Sequence, residues 1–263
     1  MFRQPLTYIS SAIDRFFSLQ AVQRLEASYP LTVGFFRNRL GMQNFLGLPL
    51  TLLLGIAVTN YAMLSEISEN LVNSPGMKLV DSSVGLYLYH LRTDETAKAF
   101  YYFTQLGSST GVGITFALVT LVLLYHRKWQ YLVALLIAVL GTGISIYFTK
   151  LFFRRERPLD VGYYEPSSFS FPSGHSAGAL SLFGIVAIFI LLERRAIKWP
   201  RYWAALCVVY IVLIGFSRIF LGVHFISDVA GGYLLGSLWL ILAVSVLEYQ
   251  RLHEKEIQNT DIK

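Results

Sequence analysis

Three groups of residues carry side chains suited to handling a phosphoryl group. The first is Lys150 followed by Arg157-Pro158, the second Pro172-Ser173-Gly174-His175, and the third Ser217-Arg218 followed by His224 and Asp228. Lysine and arginine supply fixed positive charge, and the guanidinium fork matches two phosphate oxygens at once. Lys150, Arg157 and Arg218 together would therefore favour a group whose oxygens gain charge in the transition state. Ser173 and Gly174 precede an apolar run that reads as a helix. There, free backbone amides and the positive end of the helix dipole favour an anion, and glycine lets the backbone come close. His224 and Asp228 are spaced i, i+4, so a helix would put them on one face, where the carboxylate can accept from one imidazole nitrogen. The other nitrogen keeps its lone pair for attack on phosphorus, giving a phosphohistidine. His175 is then free to protonate the departing oxygen. This chemistry calls for no metal and no cofactor.

The elements that must position these residues are membrane helices. The chain has 263 residues, is 54% hydrophobic and only 14% charged, and has a mean hydropathy of +0.52, more apolar than a soluble domain averages. Six apolar runs, near 43–64, 106–125, 131–149, 175–192, 202–220 and 225–247, are each about the ~20 residues needed to cross a bilayer. The expected fold class is all-α: a polytopic membrane protein of six transmembrane helices, the fifth and sixth forming a tight hairpin. Residues 1–40 mix Arg3, Arg15, Arg24, Arg37 and Arg39 with Phe16, Phe17 and Leu25, and read as an amphipathic segment lying on the membrane. In the polar stretch 65–105, Asn73-Ser74-Pro75-Gly76 reads as a turn and 80–91 as a short interfacial helix.

Loop charge orients the spans. The arginine-rich N-terminus and the basic stretches at 126–128, 193–201 and 250–255 all fall on one side, which should be cytoplasmic. The 65–105 loop sets Glu66, Glu69, Asp81, Asp94 and Glu95 against Lys78, Arg92 and Lys98, which suits the outside. KLFFRRERPLD, residues 150–160, then also lies outside, where anchoring cations are least expected. All three chemical groups fall on that outer face and can share one site. Lys150 and Arg157 fit phosphate binding, while Arg154 and Arg155 are secondary candidates, for substrate or for anionic lipid headgroups.

Other features have plainer readings. The excess of 22 Lys and Arg over 16 Asp and Glu marks cytoplasmic loops, and no clustered basic surface points to nucleic acid. Cys207, the one cysteine, excludes an intrachain disulfide and a multi-cysteine metal site. His90, His126 and His253 lack a chemical setting. Gly231, Gly232 and Gly236 read as close helix packing, and Tyr163 and Tyr164 as belt residues that could line a headgroup entrance.

In order and internal spacing, Lys150–Pro158, Pro172–His175 and Ser217–Asp228 resemble the three-part signature of the type 2 phosphatidic acid phosphatase superfamily of membrane lipid phosphatases. The resemblance is greatest to six-helix bacterial members acting on phosphatidylglycerophosphate or undecaprenyl pyrophosphate. It implies a metal-independent phosphatase with His224 as nucleophile, Asp228 as its orienter and His175 as acid, and with Lys150, Arg157, Ser173, Gly174 and Arg218 holding phosphate. The implied domain plan is an interfacial segment 1–40, a membrane phosphatase domain 41–250 with active-site elements in 150–228, and a cytoplasmic tail 251–263. The setting is a bacterial inner membrane, both termini cytoplasmic and the site facing outward. The partners are a lipid phosphate substrate and membrane lipids, undecaprenyl pyrophosphate leading over phosphatidylglycerophosphate and phosphatidic acid. The rivals are a lipid phosphotransferase and, from another class, an anion transporter. Transport would favour ionisable residues near mid-membrane, whereas here they gather at one end of the spans.

Overall fold

The computed structural model describes residues 3–41 and 47–260, and among them there is no strand. The helices are α1 (Arg3–Phe17), α2 (Gln20–Ser28), α3 (Pro30–Leu40), α4 (Leu48–Asn73), α5 (Pro75–Leu91), α6 (Asp94–Thr104), α7 (Ser109–Tyr125), α8 (Trp129–Phe153), α9 (Gly174–Leu192), α10 (Pro200–Phe220) and α11 (Ile226–Thr260). Residues 1–2 of the expected interfacial segment, the expected start of the first span at 43, and residues 261–263 of the tail lie outside the described residues.

Among the described residues, five helices are long and apolar enough to cross a membrane: α4, α8, α9, α10 and α11. The count becomes six when α6 and α7, bent by 43° across the single 3-10 turn Gln105–Gly107, are taken as one span. The sequence reads this second span as one straight run from 106. It is broken because Ser108 caps α7, its Oγ accepting from Gly111 N at 3.1 Å.

The polar stretch 65–105 is also more helical than its composition suggests. Asn73-Ser74-Pro75-Gly76 is a helix boundary, not a free turn: Ser74 Oγ accepts from Met77 N at 3.3 Å, and Pro75 occupies the first helical position. The expected interfacial helix at 80–91 therefore begins earlier, at Pro75. Thr93 and Thr96 form a reciprocal capping box that starts α6.

Two compact units divide the chain, residues 1–58 with 248–263 and residues 59–247. In the first, Arg37 pairs with Glu26 at 2.6 Å and lies over the Phe17 ring. In the second, α9 packs against α7, α8 and α10. Leu135 and Ala138 of α8, Leu182 and Ile185 of α9, and Ala243 and Leu247 of α11 are fully buried together. That apolar layer holds the middle of α9 against α8 and α11. Near the start of α11, a Cβ on Gly232 would stand 2.6 Å from Ser173 O, and Cβ atoms on Gly231 and Gly236 would also overlap their neighbours. These glycines set how near α11 comes to the start of α9.

Candidate active site

Lys150 lies in the last turn of α8, and the helix stops at Arg154, which adopts the left-handed conformation with φ 45°. Arg154 Nε donates to Leu151 O at 3.1 Å, so this exposed side chain satisfies one of the free carbonyls of the helix end. The chain then runs through an irregular segment to Pro172 and re-enters helix at Gly174, where Ser173 is the N-cap. Ser173 N also donates to Asp228 O at 2.9 Å, which ties the start of α9 to that of α11.

Between α10 and α11 lies a tight turn. Gly222 sits at φ +68°, a conformation L side chains rarely adopt, and a Cβ there would overlap Val161 O. His224 lies in this turn and α11 begins only at Ile226, so the expectation that His224 and Asp228 share a helix face needs correcting. They meet because the Asp228 carboxylate caps the turn: its Oδ2 accepts from Phe225 N at 2.8 Å and stands 3.4 Å from His224 Nδ1. Ser170 Oγ donates to the same Oδ2 and lies 3.5 Å from His224 Nδ1.

The two phosphate-motif arginines approach from different directions. Arg157 reaches Ser168 O at 2.8 Å, Val223 O, and His224 Nε2 at 3.1 Å. Lys150 Nζ donates to Phe169 O at 2.6 Å and Ser168 Oγ at 3.0 Å. Arg218 is only 1% exposed; its guanidinium donates to Tyr164 Oη at 2.7 Å and Thr104 Oγ1 at 3.3 Å. Its Nε finds no partner among the described residues. A buried charge with an unspent donor is costly unless an anion completes it.

These groups surround one cavity of ≈ 430 Å³, lined by Lys150, Arg157, Gly174, His175, Arg218 and His224. A wider depression of ≈ 900 Å³ also draws on Lys150, Arg157, Tyr164 and Ser168. Burial is the main reason that His224 is pushed down from its ordinary 6.5 to about 3; the neighbouring Arg157 and Arg218 lower it too, against the opposing pull of Asp228. Burial, then repulsion from Arg218, brings Arg157 down to about 10, so it still carries its charge near neutral pH. Among the described residues no three His, Cys, Asp or Glu side chains converge as a metal-binding group. What faces the cavity suits an anion.

The cavity thus gathers Lys150, Arg157, Gly174, His175, Arg218 and His224. Asp228 lies behind His224, and Ser173, fully buried, caps the helix on which His175 sits. Arg154 points elsewhere. Arg155 turns inward to carboxylates, and its side chain is 15% exposed. Sequence reasoning missed Ser170, Thr104 and the partners of Arg155. A serine two residues before Pro172 was the one local signal for Ser170. Thr104 and Asp81 reach the site from elements that carry no motif.

Residues 127–252 match the model of the PAP2 superfamily. The chain is 35% identical over 142 residues to phosphatidylglycerophosphatase B of Bacillus subtilis, covering 53% of this chain and 69% of that protein. It is 37% identical over 81 residues to undecaprenyl-diphosphatase BcrC of the same organism, covering 31% of this chain and 34% of that one. The crystal structure of a transmembrane PAP2 type phosphatidylglycerolphosphate phosphatase from Bacillus subtilis superposes with a TM-score of 0.65 at 25% identity, over 76% of this chain and 96% of that one. Alignment, fold and the meeting of three separated motifs around one anion cavity agree: the chain belongs to the PAP2 superfamily and is one of its membrane phosphatases.

Proposed function

We propose that the enzyme hydrolyses a phosphate monoester or diphosphate carried on a bilayer lipid, through a phosphohistidine on His224, at the outer face of the membrane. The observation that carries this reading is the His224 imidazole opening onto a cavity shared with Lys150, Arg157 and Arg218. The cations, with the Gly174 amide at the start of α9, take up the phosphoryl oxygens. The His224 Nε2 lone pair forms the bond to phosphorus as the bond to the ester or bridging oxygen breaks. His175 gives its proton to that departing oxygen. In the second step water attacks phosphorus, the P–N bond breaks, and His175 recovers a proton from the water. Asp228 accepts from Nδ1 and stabilises the positive charge that develops on the ring.

Gly143, Ile146 and Tyr147 of α8 line the same cavity. A headgroup can thereby reach Lys150 while its chains stay in lipid. Loop charge supports the outer location, with both termini cytoplasmic and α1–α3 as an interfacial segment. Undecaprenyl pyrophosphate is the leading substrate on sequence grounds. Phosphatidylglycerophosphate stands beside it because the longer match is to a phosphatidylglycerophosphatase.

The test is inorganic phosphate release from a panel of undecaprenyl pyrophosphate, phosphatidylglycerophosphate and phosphatidic acid in the presence of chelator, comparing the parent enzyme with His224→Ala. Turnover that survives chelation and vanishes in the variant supports the reading. Transfer of the phosphoryl group to a supplied acceptor alcohol without inorganic phosphate release would make the enzyme a transferase, and anion movement without any release would make it a transporter.

A further inference from the structure

Arg155 lies between two buried carboxylates. Its Nη1 donates to Asp228 Oδ1 at 2.6 Å and to Ser227 Oγ at 2.7 Å, and its Nη2 donates to Asp81 Oδ2 at 2.7 Å. Ser227 closes the group, giving its N–H to Asp81 Oδ1 at 3.1 Å and its hydroxyl to Asp81 Oδ2 at 2.6 Å. Asp81 is 1% exposed and Asp228 fully buried. The guanidinium plane lies 4.2 Å over the Phe225 ring, which fixes its rotation.

Asp81 is on α5, remote in sequence from all three motifs, and the opposite surface of that helix exposes Leu79, Val80, Leu86 and Tyr87. A carboxylate buried on such a helix is costly unless paired. Two carboxylates that share one guanidinium would repel each other without it. With Arg155 between them, two negative charges meet one positive charge. The cluster keeps a net single negative charge, and Asp228 remains an anion facing His224 Nδ1. Every Asp228 oxygen then has a partner: Arg155 on Oδ1, and Phe225 N–H, Ser170 and His224 on Oδ2.

We propose that Arg155 and Asp81 are positioning residues for this reaction, holding Asp228 ionised and aimed at the His224 imidazole, with Arg155 committed to carboxylates instead of phosphate. This rests on the reading of His224 as nucleophile. The path runs from α5 through Arg155 to Asp228 and only then to the reacting nitrogen.

The test is a cycle of Arg155→Met, Asp81→Asn and the double variant in full-length enzyme, with kcat and KM measured per folded protein on the best lipid of the panel, and His224→Gln alongside. Arg155→Met should lower kcat by roughly 10- to 100-fold, the usual cost of losing a partner one shell from a reacting group, while KM changes by less than about 3-fold. Adding Asp81→Asn removes the second carboxylate and should recover at least about 3-fold of the lost kcat, a non-additive result for residues in one network. If Arg155→Met yields no folded enzyme, recovery of folded, active protein by the added Asp81→Asn carries the same meaning. A raised KM with unchanged kcat would show Arg155 on the substrate and overturn the proposal, as would a double variant no better than Arg155→Met. An active His224→Gln sinks the underlying nucleophile assignment, whereas an inactive one beside an unimpaired Arg155→Met sinks this inference alone.

Discussion

The imidazole Nε2 of His224 stands 3.1 Å from Nη1 of Arg157. A guanidinium has donors and no acceptor, so Nε2 must be the nitrogen with the lone pair, and the ring proton sits on Nδ1 beside Asp228 and Ser170. The same contact occupies that lone pair. On the proposed mechanism, binding would draw the Arg157 donor onto a phosphoryl oxygen and free Nε2 for attack.

Arg157→Lys keeps the charge and loses the fork that spans Ser168, Val223 and His224. Hydrogen bonds to charged groups contribute about 1.5–3 kcal/mol each, so kcat/KM should fall by about 10- to 100-fold. Steady-state kinetics on the lipid panel measure it.

Protonation of His224 follows the same geometry. Burial lowers it from 6.5 to about 3, so the ring is neutral above about 3 and gains a proton only as pH falls through that value. The neutral ring that the proposed mechanism needs is therefore present at pH 5, where an unperturbed imidazole would be mostly charged. Nitrogen chemical shifts of histidine-labelled enzyme, with the His224 signal assigned by its loss in His224→Gln, should show a neutral ring at pH 5. A midpoint near 6.5 would contradict the buried setting.

At Arg154 the left-handed backbone is unfavourable for any residue with a Cβ, by about 1–2 kcal/mol. Glycine is at home there. Arg154→Gly gives up only the contact to Leu151 O, so thermal unfolding in detergent should show equal or greater stability, and kcat should stay within about 3-fold of the parent.

Gly232→Ala would place a methyl group 2.6 Å from Ser173 O, and a backbone carbonyl cannot yield as a side chain can. Overpacking of this kind costs about 1–3 kcal/mol. Both the unfolding temperature and kcat should fall, since the atom pushed belongs to the N-cap of α9.

What the sequence made legible was local. Lys150 and Arg157 share one short stretch, Ser173–His175 open an apolar run, and Arg218, His224 and Asp228 lie within eleven residues, so residue type and order alone pointed to one anion site. Helical spans were legible because apolar length is a one-dimensional property. The kink at Ser108 was not, because a cap inside an apolar run looks like a tolerated polar residue. His224 was expected on a helix because spacing alone does not show that the Asp228 carboxylate would cap the turn. Asp81 read as one acid among several in a polar loop. Its pairing with Arg155 is a long-range contact without a pattern, and with it the reading of Arg155 changes from surface cation to internal tie.

The central claim is a covalent intermediate on His224. Rapid-quench of the enzyme with a ³²P-labelled lipid phosphate, followed by alkaline denaturation and peptide mapping, tests it most directly. The account predicts an acid-labile, base-stable label on the peptide carrying His224, absent from His224→Gln. Labelling of another residue, or full turnover in His224→Gln, would contradict it.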